Sequence, residues 1–317
     1  MPPRIPCALR VVGPPAAGPQ IQSQLDAASG AVLLVAQTER AVLAVTGNDR
    51  QSWLNGLVTN DVAKLPVGAA SYGLAVSQKG RIMADMLVFR EPERLLLVIP
   101  SSSSDELRAH FEKYLIMEDA EVHETALAVL MAHGPSSPEL LERAKAKGAH
   151  GALLDTTGLG GALVLAEANL DLSSEVAALG GVVGDPAGWE ALRLGRGIPA
   201  FGSDFDASTY PQEAGLEKRA VSFDKGCYLG QEVVCMLEMR GHVKRKLVPV
   251  LLEPGATATA GAKVEDSNGA EVGKLTSVVL HPAWKQAVGL AMVKLAQAEV
   301  DTALRVGEAS ARVFAPA

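Results

Sequence analysis

The feature that most constrains the fold is an order of elements that occurs twice. Apolar periodicity predicts strands at 32–36 and 40–46, then a helix opened by the capping-box pair Asn48 and Gln51 and carried by Trp53, Leu54 and Leu57. Strands follow at 71–77, 81–89 and 94–99, a helix at 104–115 and a closing strand at 121–124. The stretch 127–183 repeats the grammar with a strand at 127–132, a helix at 138–147, strands at 152–155 and 162–165, a helix at 172–179 and the short apolar pair Val182 and Val183. Both halves read as βαββαβ, which places two helices on one face of an antiparallel sheet and so predicts two ferredoxin-like units. The halves share order rather than residues.

Downstream, residues 186–195 read as a further helix, and 198–215 is rich in Pro, Gly, Asp and Ser, a long loop of the kind that carries function. After Lys246 the pattern changes to short apolar strands at 247–252, 262–265, 271–279, 286–293 and 310–314, with a tight turn at 266–269, which predicts a small antiparallel β-barrel. The expected organisation is a flexible arm at 1–30, a first ferredoxin-like unit at 31–125, a second at 126–245 that carries the long loop, and the barrel at 246–317.

A chain of 317 residues supports such cores without disulfides or metals. Its formal net charge of −7 excludes a duplex-coating nucleic-acid binder, which needs a basic surface to displace counterions. Apolar runs such as 31–36 and 95–100 are far shorter than the roughly 20 residues that span a bilayer. Cys7, Cys227 and Cys235 form neither a CxxC nor a Cys/His ligand pattern, so no metal site is expected. Their odd count points to a reducing compartment. Prolines at 2, 3, 6, 14, 15 and 19 break any signal or transit segment, and a cytoplasmic location is expected.

The most specific string is 222–232, SFDKGCYLGQE. Gly226 permits a sharp turn, and Leu229, Val233, Met236 and Leu237 then recur at helical spacing, which puts Cys227 at or near a helix start. There the helix dipole and Lys225 would favour the thiolate; a plain packed cysteine is the alternative. Cys235 reads as core, about 12 Å along the same helix. Between 217 and 246 seven basic residues face four acidic ones, a local reversal that suits an anionic ligand or a merely solvated face. Asp85 shares a strand face with Met83, Leu87 and Phe89. A carboxylate in that setting accepts paired N–H donors from a heterocycle or bonds a neighbouring group of the protein.

The string 225–232 (KGCYLGQE) resembles the signature of the YgfZ family, folate-binding relatives of the glycine-cleavage T-protein, an aminomethyltransferase. The segments 55–65 (NGLVTNDVAKL), 79–85 (KGRIMAD), 192–202 (LRLGRGIPAFG), 211–216 (PQEAGL) and 239–245 (MRGHVKR) stand in the family's order. The resemblance implies an α+β cloverleaf of two ferredoxin-like units plus a C-terminal antiparallel β-barrel, around a central channel that holds tetrahydrofolate or a one-carbon derivative. It also implies support of iron–sulfur cluster assembly or repair, with assembly factors or client iron–sulfur enzymes, tRNA-modifying ones included, as partners. Two positions depart from the T-protein pattern. Ala84 precedes Asp85 where T-proteins carry paired aspartates, and Gly195 stands where they carry a pterin-binding glutamate. Both argue against aminomethyl transfer.

The first reading is therefore a folate-binding accessory protein. Asp85 is expected near the pterin, Arg240, Lys244 and Arg245 near the glutamate tail, and Lys225, Tyr228, Gln231 and Glu232 in the binding site, with Cys227 as a channel-facing thiol. The alternative is a folate-dependent aminomethyl or one-carbon transferase in which Asp85 orients or activates the folate amine. A thiol enzyme with Cys227 as nucleophile has only His242 nearby in sequence as a base.

Overall fold

The computed structural model describes residues 18–241 and 243–316. Cys7, the prolines before residue 18 and His242 lie outside the described residues. In chain order the elements are α1 (Gly18–Gly30), β1 (Leu33–Ala36), β2 (Arg40–Thr46), α2 (Arg50–Asn55), β3 (Ala70–Val76), β4 (Ile82–Arg90), β5 (Leu95–Pro100), α3 (Ser104–Glu112) and β6 (Glu121–Glu124). Then come β7 (Ala128–His133), α4 (Ser137–Ala146), β8 (His150–Leu153), β9 (Gly161–Ala166), α5 (Ser173–Ala178), β10 (Val182–Val183), α6 (Pro186–Gly195), α7 (Glu217–Ala220) and α8 (Gln231–Arg240). The C-terminal strands are β11 (Arg245–Leu252), β12 (Lys263–Glu265), β13 (Glu271–His281), β14 (Gln286–Lys294), β15 (Ala303–Val306) and β16 (Ala309–Val313).

The first sheet runs β3-β4-β5-β2-β6 and the second β10-β1-β7-β9-β8. Each contains the ferredoxin-like order with one strand added, β3 at the edge of the first and β1 in the middle of the second. β1 is the point where the contiguous division at residues 31 and 126 differs from the structure. It pairs antiparallel with β7 and parallel with β10, so the first predicted strand of the first unit completes the second unit's sheet. Periodicity fixes that a segment is a strand, not which sheet receives it.

Residues 18–30 are likewise helix rather than arm. Ile21, Leu25 and Ala28 form a buried stripe at helical spacing and pack against Leu33, Val35, Ala191 and Leu192. Leu43, Met86, Val88 and Leu97 of the first sheet meet Trp53, Leu107 and Phe111 of α2 and α3. Leu34, Leu130, Ala162 and Val164 of the second sheet meet Leu140, Leu141 and Val176 of α4 and α5. The opposite faces of the two sheets pack together through Val42, Leu87, Phe89 and Val98 against Val129, Met131, Leu163 and Leu165. The result is four layers with helices outside and a sheet-on-sheet seam within. At roughly 25 cal/mol per Å² of apolar area removed from water, that seam and the two helix-facing cores drive the fold.

Strands β11-β14-β13-β12-β15-β16 close into a barrel, including a strand at Ala303–Val306 that the sequence pattern leaves unassigned. α6 joins the parts. Its Asp185 cap accepts from the Gly188 amide, its first half packs on α1, and Leu194 near its end joins Leu247, Val288, Leu290 and Phe314 of the barrel side.

Candidate functional site

Where the two sheets part, below α6, the seam opens into a cavity of about 500 Å³. That lies within the range of roughly 300–1,000 Å³ typical of small-molecule sites. Val35, Leu87, Val98, Val129 and Met131 make its apolar wall, and the segment from Ile198 to Ser203 covers one side. The predicted long loop thus contributes its N-terminal part to the cavity.

Two carboxylate–guanidinium pairs line it. Asp85 accepts a two-pronged bond from Arg40, with Nη1–Oδ1 at 2.8 Å and Nη2–Oδ2 at 2.9 Å, and the Tyr72 hydroxyl donates to Oδ2 at 3.2 Å. Period-2 alternation on β4 puts Asp85 on the seam face, in the row of Leu87 and Phe89, at the point where that row meets the cavity. Burial opposes the charge on Arg40, but Asp85 outweighs it and holds the guanidinium pKa above its usual value. Burial, followed by the Asp85 charge, pushes the Tyr72 phenol well up.

Glu190 and Arg193 are i,i+3 neighbours on α6, paired Nε–Oε1 and Nη2–Oε2 at 2.7 Å each. Arg193 also donates to Asp204 Oδ2 at 2.7 Å, to the Ile198 carbonyl at 3.1 Å and to Ser277 Oγ at 3.2 Å, and Thr276 donates to Asp204 Oδ1 at 2.6 Å. Burial opposes the Arg193 charge; Glu190 and Asp204 more than offset it and hold its pKa raised. The two pairs face the cavity with opposite polarity. Side-chain exposure is 4% for Asp85 against 23% for Arg40, but 42% for Glu190 against 2% for Arg193. A guanidinium is offered at one wall and a carboxylate at the other. Arg219, exposed at the cavity, donates to the Thr156 carbonyl at 2.6 Å and has no carboxylate partner among the described residues.

Of the residues singled out from the sequence, Asp85 alone is among the described residues that line this cavity. Arg245 lines an adjoining pocket of about 440 Å³, which shares Gly202 and Ser203 with the cavity, and is itself engaged by Glu213 at 3.1 Å. Arg240 and Lys244 are exposed away from the cavity lining. Lys225 is a structural clasp: its ammonium donates to the carbonyls of Asn55, Val58 and Asn60 at 2.6, 2.8 and 2.7 Å, and burial lowers its pKa to about 8. It ties the 55–60 turn to the cysteine loop and lies 5.2 Å over the Tyr228 ring. Tyr228 is buried, its phenol pushed up by burial and then by Cys235. Gln231 Nε2 reaches the Gly226 carbonyl at 3.5 Å, and Glu232 is exposed.

Cys227, expected to face the channel, is exposed but is not among the residues lining the cavity, and α8 begins only at Gln231, after Gly230 in the left-handed conformation. The helix thus starts four residues after Cys227, and the Lys225 ammonium is engaged by three backbone carbonyls. Cys235 is partly buried, and burial followed by the Glu238 charge raises its pKa. Val234, not Leu229, is the buried anchor of α8. Gly195 faces the barrel: a Cβ there would lie 3.1 Å from His281 Nε2.

Glu190, Arg193, Arg40, Trp189 and His133 are the site residues that sequence reasoning missed, and Arg219 is the member of the basic window 217–246 that lines the cavity. The available signal was the stripe of Pro186, Trp189, Glu190 and Arg193 on one face of α6.

Comparison with known proteins agrees with this architecture. Residues 15–151 match the GCVT N-terminal domain and residues 244–317 the CAF17 C-terminal beta-barrel domain. The aminomethyltransferase of Thermotoga neapolitana is 29% identical over 280 residues, spanning 79% of this chain and 75% of that protein. That of Rubrobacter xylanophilus is 27% identical over 281 residues, spanning 79% and 73%. The crystal structure of glycine cleavage system aminomethyltransferase T from Bartonella henselae superposes with a TM-score of 0.78 at 19% identity, over 93% of this chain and 88% of that one, which establishes the shared fold. The chain thus pairs a GCVT N-terminal domain with a CAF17-type C-terminal β-barrel and has aminomethyltransferase-like homologues, matching a YgfZ/GcvT-like relative.

Proposed function

We propose that this protein binds tetrahydrofolate or a one-carbon derivative in the central cavity and acts as an accessory to the assembly or repair of iron–sulfur enzymes. The observation that carries the folate part is the cavity's polarity. A reduced folate has a donor-rich bicyclic head, an apolar middle and a carboxylate tail. Glu190, held by Arg193, offers carboxylate lone pairs to the head; Val98, Val129 and Met131 contact the middle; Arg219 and the open side of Arg40 receive carboxylates. Asp85 then acts as a positioning residue that holds Arg40. Bound folate supplies a carrier for one-carbon units.

The accessory part is supported by the 225–232 string, by the exposed thiol of Cys227 and by Ala84 beside Asp85. Cys227 is exposed, as are Phe223 and Met236 of the same segment, where a client iron–sulfur enzyme or an assembly factor has access. The competing reading, aminomethyl transfer, is favoured by the names of the relatives. Calorimetric titration with tetrahydrofolate followed by an assay with aminomethyl-lipoyl carrier separates them: binding without methylenetetrahydrofolate formation is expected. In a deletion strain, iron–sulfur enzyme activity should fall while glycine cleavage persists, and Cys227→Ala should fail to restore it at normal soluble protein levels. Loss of glycine cleavage with intact cluster enzymes would replace the accessory reading by the transferase one.

A further inference from the structure

His133, the last residue of β7, lines the central cavity and is fully buried. Among the described residues neither Nδ1 nor Nε2 has a hydrogen-bond partner. Its ring is stacked on Trp189, with centroids 4.8 Å apart and planes within 11°. A phenylalanine would fill the same stack without burying two unpaired polar atoms, which oppose folding wherever they are left unsatisfied. The imidazole therefore does something packing does not require. Burial lowers its pKa to about 4 against a smaller opposing pull from Asp155, so near neutral pH one ring nitrogen donates and the other accepts. Trp189 lines the same cavity, is partly exposed and precedes Glu190 on α6.

We propose that His133 is a ligand-contacting, specificity-determining residue of the cavity. Its imidazole hydrogen-bonds the polar edge of a flat heterocycle that stacks at Trp189, while Glu190 takes the ring's N–H donors. The indole shifts on binding, because the imidazole nitrogens are sealed in its absence. A 2-amino-4-oxo-pyrimidine fused to a second ring meets these demands, a chemistry shared by pterins and guanine; the choice of a pterin rests on the folate reading above.

Two probes, 5-formyltetrahydrofolate and GDP, are titrated calorimetrically into the wild type, His133→Phe and His133→Gln, and the ligand-free melting of each variant is recorded. The expected result is folate binding by the wild type, weakened about tenfold or more by His133→Phe and partly recovered by His133→Gln, which donates and accepts. Ligand-free His133→Phe should melt above the wild type by ~2 °C, since it removes unpaired buried atoms. Binding of His133→Phe within about twofold of the wild type, or a melting point below it, would overturn the inference. Binding of GDP alone, with the same His133 dependence, would overturn the folate reading and leave the inference standing; binding of neither probe overturns both.

Discussion

The two ion pairs of the cavity contain the same chemical groups and present opposite faces. At the Asp85–Arg40 wall the carboxylate is sealed and the guanidinium is open; at the Glu190–Arg193 wall the guanidinium is sealed and the carboxylate open. The difference follows from where the strand or helix places each member. Asp85 points from the middle of β4 into the inter-sheet seam, whereas Arg40 begins β2 at the rim. Arg193 points from α6 into the barrel and loop, where Asp204 and Ser277 receive it, while Glu190 stands one turn nearer the cavity. An ion pair is thus not a binding group by itself; its open member decides what it can bind.

The comparison is broken most forcefully at Arg193. Arg193→Met leaves Asp204 buried without its cation and releases Glu190, and should destabilise the protein by about 3–5 kcal/mol in chemical denaturation. Arg40→Met leaves Asp85 with Tyr72 and a solvent-facing gap, and should remove about 2–3 kcal/mol. Equal losses would contradict the difference in burial.

An acid-range pH effect is expected from His133, stacked on Trp189 beside Glu190. The folded-state pKa of His133, about 4, lies below the unfolded value near 6.5. Between those values the unfolded chain binds the extra proton, so its contribution is present above pH 6.5 and lost as pH falls toward 4, by about 3 kcal/mol. Denaturation midpoints measured across that window should fall on acidification, and His133→Gln should flatten this part of the slope.

Ligand affinity sharpens the contrast further. Glu190→Gln should weaken reduced-folate binding by about 1.5–3 kcal/mol, the worth of a charge-assisted bond, whereas Asp85→Asn should weaken it by about 1 kcal/mol or less, because Asp85 acts through Arg40. Calorimetry giving the reverse order would exchange the roles of the two walls. Arg219→Gln should lose about tenfold for a folate with its tail and nothing for a tetrahydropterin without carboxylates. The smallest effect lies outside the cavity. Alkylation followed by peptide mass spectrometry should label exposed Cys227 before Cys235, whose thiol is held protonated by burial and Glu238; the opposite order would place α8 wrongly.

Local signals carried much of the fold. The alternation along 82–89 put Asp85 on the correct face, and the turn at 266–269 marked the barrel hairpin between β12 and β13. They failed where distant segments meet. The stripe of Ile21, Leu25 and Ala28 was hidden by the upstream prolines, and β1 joined a sheet whose other strands lie about a hundred residues away. The basic window at 217–246 held one cavity cation, Arg219, while Lys225 closed on three carbonyls that sequence proximity could not connect to it.

By itself the sequence determined the elements, because apolar period, turn residues and caps act within a few residues of one another. It also carried the string at 225–232 that resembles the YgfZ signature. Only the tertiary structure decided which strand entered which sheet, which member of each ion pair stays open, and that His133 ends without a partner beside Trp189. Those outcomes depend on burial and on contacts between elements far apart in the chain, and burial is what sets the strength and direction of a charge's interactions.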